Sequence, residues 1–177
     1  MSKNRFTPKP ESIILSEFEF SLTILMSGFQ RWVEICMEAS GVRGIAHMDI
    51  LVLHAVNSRA RKCRIPEICM MMNIVDTHIV SYSLKKLVAA DLVTAIQHGR
   101  ERLYETNEAG AEICLNYSKV REKALIPNLS LLSESDQQLD RLTSLQGMMS
   151  SIYDHASRVA MAESQLTEIK PPLRTKP

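Results

Sequence analysis

Residues 76–106 read DTHIVSYSLKKLVAADLVTAIQHGRERLYET. Asp76 or Thr77 can cap a helix, and the pattern behind them predicts one running to about Ala90. On that helix Val80, Leu84, Leu87 and Val88 fall on one apolar stripe. The runs LVTAIQ (92–97) and RLYET (102–106) are short and β-branched or alternating, and the turn HGRE (98–101) separates them. They predict a hairpin directly behind the helix.

The other side of the helix carries two rows at i, i+4 spacing. One is Thr77, Ser81 and Lys85; the other is His78, Tyr82 and Lys86. No acidic residue follows Asp76 until Asp91. The N-terminal side chains of these rows can donate and accept hydrogen bonds, as base edges in a major groove require. The two lysines suit phosphates, which a carboxylate would repel. The plainer reading is a solvated polar face whose lysines complement the negative end of the helix dipole.

The surroundings of the helix decide between these readings. MDILVLHAVNS (48–58) has the pattern of a short amphipathic helix, and RARKCR (59–64) is a basic connector. IPEICMMMN (65–73) forms a second short helix with Pro66 in its first turn, where a missing N–H costs nothing. Three short-linked helices within residues 48–90, followed by a hairpin, spell a winged helix-turn-helix. The third helix then reads DNA through Thr77, His78, Ser81 and Tyr82 and holds it through Lys85 and Lys86. The hairpin tip offers His98, Arg100 and Arg102 to a minor groove or to the backbone. Charge follows the same division. The chain carries +1 overall, but residues 1–42, 43–104 and 105–177 carry −1, +4 and −2.

Long helices flank this core. Between about Ser12 and Ala39, Phe18, Leu22, Leu25, Phe29, Trp32 and Cys36 recur at alternating steps of four and three. A helix of that length spans about 40 Å. Residues 106–125 continue as a helix with Ile113, Tyr117, Val120 and Ala124 on one face, and Pro127 ends or kinks it. Ser133 and Asp136 form a capping-box pattern ahead of a last helix, whose seam is Leu142, Leu145, Met149, Ile152, Ala156 and Val159. Two long seams on one small chain predict an intertwined homodimer, with Phe18, Leu22, Leu25, Phe29, Leu142, Leu145, Met149 and Ile152 at the interface. The expected layout is a flexible arm over 1–10, helical dimerisation segments over 11–40 and 107–165, a winged helix over 45–106 and a flexible tail over 166–177. The fold class is mainly α with a small β-hairpin wing.

VDTHIVSYSLKKLVAADLV followed by HGRERLYETNEAG resembles the recognition helix and wing of the MarR family, the multiple-antibiotic-resistance-type regulators, and most closely its uncharacterised bacterial branch. The carrying residues are Leu84, Leu87, Leu92 and Val93 at the helix end, Arg100 in the wing, and Thr106 to Gly110 opening the next helix. The resemblance spans roughly 12–160. It departs at the wing tip, where the family often has Asp beside its arginine and this chain has Glu101. The resemblance implies a homodimeric transcription factor on a pseudo-palindromic operator of double-stranded DNA. It also implies that a small-molecule effector, unidentified here, can release the DNA.

Other classes find less support. There is no glycine-rich phosphate loop, H-E-x-x-H or nucleophile elbow, so no enzyme is expected. No cofactor or metal is expected either, since His47, His54, His78, His98 and His155 are scattered. Cys36, Cys63, Cys69 and Cys114 form no C-x-x-C pair. With no signal-peptide pattern, they suggest a reduced cytoplasmic protein, on the nucleoid when bound to DNA. Uncharged runs such as Phe20–Gln30 are too short for a bilayer span, and no membrane partner is expected. Two alternatives stay open. One is a thiol-based redox sensor using Cys69 or Cys36, against which stands plain burial. The other is a winged-helix module that binds protein instead of DNA.

Overall fold

A computed structural model of the protein describes residues 9–59, 61–129 and 135–166. Nine elements follow in order: α1 (Pro10–Ala39), α2 (His47–Asn57), α3 (Ile65–Met71), α4 (Thr77–Ala89), β1 (Val93–His98), β2 (Glu101–Thr106), α5 (Glu108–Ala124), α6 (Ile126–Leu129) and α7 (Ser135–Leu166). They divide into two compact units, Met1–Ile126 and Pro127–Pro177. The capping box at Ser133, most of the N-terminal arm and the tail lie outside the described residues.

The first unit is built around α2. Ile50, Val52, Leu53 and Val56 are buried there against Ile68 of α3, Val80, Leu84 and Leu87 of α4, and Val33, Cys36 and Met37 of α1. Val88, expected on the α4 stripe, is exposed. The buried face is centred on Val80, Leu84 and Leu87, and its other flank is Ser83. That rotation leaves Val88 beyond the contact.

Each junction has an identifiable cause. The α2 N-cap, Ala46, has no side-chain oxygen. Glu34 of α1 supplies one instead, accepting the His47 N–H at 2.9 Å, with His47 Nδ1 3.3 Å from the same oxygen. The start of α4 is capped by Asp76, whose carboxylate accepts the His78 N–H at 2.9 Å. Its end turns at Asp91, φ +55°. Asn107 then ties that turn to α5: its amide donates to Asp91 O at 2.8 Å while its own carbonyl accepts the Gly110 N–H at 2.8 Å. Gly110 is required by proximity, since a Cβ there would stand 2.0 Å from the carbonyl oxygen of Leu92.

Strands β1 and β2 pair antiparallel from Val93↔Thr106 to His98↔Glu101. The expected four-residue turn is therefore two residues, Gly99 and Arg100. Gly99 has φ +62° at the first central position, where a II′-type hairpin needs glycine. Cys63 pairs with Tyr104 across the outer edge of β2, at 2.8 and 2.9 Å, and holds the basic connector against the hairpin.

The first two-thirds of α1 stand clear of this core. Ile14, Phe18, Leu25 and Phe29 are exposed, Leu22 and Trp32 are partly covered, and only the last turns are buried. Among the described residues this is the one helix long and apolar enough, by length and mean hydropathy (1.3), to cross a membrane. An interaction helix has the same profile, and the last turns of α1 are buried in the core of the first unit through Val33, Cys36 and Met37. In the second unit α7 likewise exposes Leu142, Leu145, Ile152 and Val159, with Met149 partly covered.

Candidate nucleic-acid interface

Burial of Val80, Leu84 and Leu87 turns the opposite face of α4 outward. Thr77, His78, Tyr82 and Lys85 are exposed there, and Ser81 is half-buried. The two lysines that stand together in the sequence differ in structure. Lys86 Nζ lies 3.0 Å from Oδ2 of the buried Asp49 of α2 and 4.6 Å from the centre of the Tyr82 ring. The hydrogen bond to Asp49 raises its pKa. Lys85 makes no ion pair among the described residues.

The hairpin contains two acids, Glu101 between Arg100 and Arg102 and Glu105 further along β2, and both are countered from the connector. Arg64 Nη1 is 3.3 Å from Glu101 Oε1, and Lys62 Nζ is 3.7 Å from Glu105 Oε1. Glu67 of α3 accepts the Arg64 N–H and the Arg61 guanidinium, both at 2.8 Å, which drives its pKa down to about 2. The basic connector thus neutralises the local carboxylates, and Glu101 braces the wing through Arg64. His98, Arg100 and Arg102 remain exposed, with no ion pair among the described residues. Gln97 donates to Gly99 O at 2.8 Å and stiffens the turn that carries Arg100. The hairpin adjoins the outward-facing helix, since β1 packs against α4.

A second feature was not legible in the sequence. Phe29, Trp32, Leu51, His54, Tyr117 and Arg121, drawn from α1, α2 and α5, line a cavity of about 460 Å³. The His54 ring meets the Tyr117 ring edge-on with centroids 4.4 Å apart, and burial, helped by the Arg121 charge, lowers its pKa. His54 Nε2 is buried without a hydrogen-bond partner among the described residues. Arg121 makes no ion pair among the described residues. An aromatic-lined cavity with an uncountered cation and an orphaned imidazole nitrogen has the chemistry to hold an aromatic anion.

The four cysteines are buried free thiols, and burial raises the pKa of each, Cys114 to about 11. A thiol held protonated and covered is a poor nucleophile. Among the described residues no three His, Cys, Asp or Glu side chains gather into a metal site.

Residues 46–110, from the start of α2 to the first turn of α5, match the family model of the winged helix DNA-binding domain. Over most of its length the chain has the fold of the MarR-family transcription regulators. MarR of Staphylococcus aureus, solved in complex with salicylate and kanamycin, superposes with a TM-score of 0.63 at 16% identity, covering 80% of this chain and 93% of its own. A MarR regulator from Methanosarcina mazei Go1 gives 0.60 at 14%, covering 81% and 99%. CouR from Rhodococcus jostii RHA1, bound to p-coumaroyl-CoA, gives 0.59 at 16%, covering 74% and 90%. No curated protein matches the sequence.

Proposed function

We propose that the protein is a MarR-type transcriptional regulator that binds a pseudo-palindromic operator as a homodimer and responds to a small organic anion. The observation that carries the DNA reading is the acid-free exposed face of α4 within a matched winged helix DNA-binding domain. Thr77, His78, Ser81 and Tyr82 would meet base edges, Lys85 a phosphate, and His98, Arg100 and Arg102 the flanking backbone or minor groove. Lys86 supports the helix from behind through Asp49.

Selection of bound sequences from a random duplex pool tests this directly: an enriched inverted repeat is expected. On that operator, Lys85→Ala should lower the slope of log affinity against log salt by roughly 0.9 per subunit. Lys86→Ala should leave the slope unchanged and lower the melting temperature. Failure to enrich any sequence, with no binding of random DNA at low salt, removes the DNA reading.

The cavity beside His54 and Arg121 supports effector binding, and salicylate, which the S. aureus relative binds, is a usable probe. Trp32 is the chain's one tryptophan and lines that cavity, so its fluorescence reports occupancy. Salicylate should quench it saturably, and Arg121→Ala should weaken the binding about tenfold or more, the scale of a charge-assisted contact. Quenching that is linear and equal in the variant counts against the site.

A further inference from the structure

The two edges of α4 differ in chemistry. Along one run Thr77, Ser81 and Lys85. Along the other, Ile79, Tyr82 and Lys86 follow at steps of three and four, Val75 stands just ahead of the N-cap Asp76 at the start of the helix, and the Lys86 ammonium is bound to Asp49. The outer part of this second edge is therefore hydrocarbon and aromatic ring. Val75 is 96% exposed, Tyr82 63% and Ile79 41%.

Local packing does not explain Val75. An apolar residue just before an N-cap ordinarily packs on the fourth helical residue and fixes the entry of the chain. Here that residue is Val80, which is wholly buried in the core, while Val75 stands almost wholly in solvent. Its neighbour Ile74 makes the contact with the core instead. Val75 is also the most exposed large apolar side chain among the described residues. It sits where the N-terminus of a recognition helix meets base edges, continuous with the polar face already assigned to DNA.

The major groove displays one methyl group, the 5-methyl of thymine; apart from the bare C5–H of cytosine, the other edge features there donate or accept hydrogen bonds. We infer that Val75 and Ile79 read thymine methyl groups in each half-site of the operator. This rests on the DNA reading above and adds a specificity that the Thr77–Ser81 edge does not set. Hydrogen-bonding side chains fix some positions, and the apolar edge selects thymine at others.

Replacing thymidine by deoxyuridine removes the methyl and leaves every hydrogen-bonding group in place. The operator recovered by selection is resynthesised with deoxyuridine at each thymidine in turn, and affinity is measured for the wild type and for Val75→Ala/Ile79→Ala. One or two positions per half-site should lose about fourfold in affinity, the worth of one buried methyl-sized group. The double variant should bind thymine and uracil alike at those positions. Both residues are exposed, so an unchanged melting curve confirms that the variant is folded. Uracil tolerated at every position, or a uracil penalty that persists in the variant, overturns the inference while leaving DNA binding standing. Absence of any enriched operator instead removes the reading beneath it. Loss of a protein contact in the variant with no uracil effect in the wild type would assign the edge to a protein partner and also overturn it.

Discussion

At the scale of single residues, spacing alone could not separate Lys85 from Lys86. Both lie on the polar side of α4 by periodicity, and both read as phosphate contacts. What distinguishes them is Asp49, 37 positions away on α2. No local pattern contains that pairing, because it depends on how α2 and α4 cross. The same holds for the basic connector, whose Arg61, Lys62 and Arg64 counter Glu67, Glu105 and Glu101. Glu67 gives this a pH signature. Its folded pKa of about 2 lies below the ordinary 4.5, chiefly through the Arg64 backbone N–H and the Arg61 guanidinium. A depressed carboxyl stabilises the fold fully above its unfolded value, and the contribution fades as pH falls from 4.5 toward 2. Glu67→Gln should therefore melt below the wild type at neutral pH, and the two curves should converge across that acid window. A constant gap down to pH 2 would mean that the glutamate acts through packing and not through charge.

At the scale of elements the sequence was informative. Six helices and both strands appear where apolar period, caps and turn residues place them, because those signals are local and strong. The differences are small and physical. Val88 falls outside the α4 contact because Ser83 occupies the opposite flank of the buried face. The wing turn is shorter than expected because Gly99 lets His98 and Glu101 pair. The Thr106 to Gly110 stretch that opens α5 also has a mechanical cause here. Asn107 caps α5 through the Gly110 N–H, and Gly110 lies against the Leu92 carbonyl where the hairpin leaves α4. Gly110→Ala should cost roughly 1–3 kcal/mol, as overpacking does, because the obstructing atom is backbone and cannot rotate away. Thermal unfolding measures it; a loss below about 0.5 kcal/mol, typical of a neutral site, would show that α5 shifts freely. The cavity lined by Trp32, His54 and Arg121 was invisible at this scale, since three separate elements contribute to it.

At the scale of the whole molecule, the uncovered apolar surface is the dominant fact. Ile14, Phe18, Leu25 and Phe29 on α1 and Leu142, Leu145 and Ile152 on α7 are large apolar side chains left exposed, the kind of surface that marks an interaction site. The proposed homodimer would cover them with a second copy of the same surface, and its two recognition helices would have to stand about 34–36 Å apart to match successive major grooves. The coupling can be measured. Phe18→Glu/Leu25→Glu places two carboxylates on α1 where the side chains are exposed, so the winged unit should keep its own melting transition. The wild type should have a mass of about 40 kDa in solution, twice the 20.0 kDa chain, and the variant the mass of one chain. Its operator affinity should drop by about 10²–10⁴, because the second half-site is no longer presented at millimolar effective concentration. Half-site duplexes should show much less difference, since one recognition helix meets one half-site in either case. A wild type that stays monomeric at micromolar concentration, or a monomeric variant that holds the full operator as tightly as the wild type, would separate the apolar helices from DNA recognition.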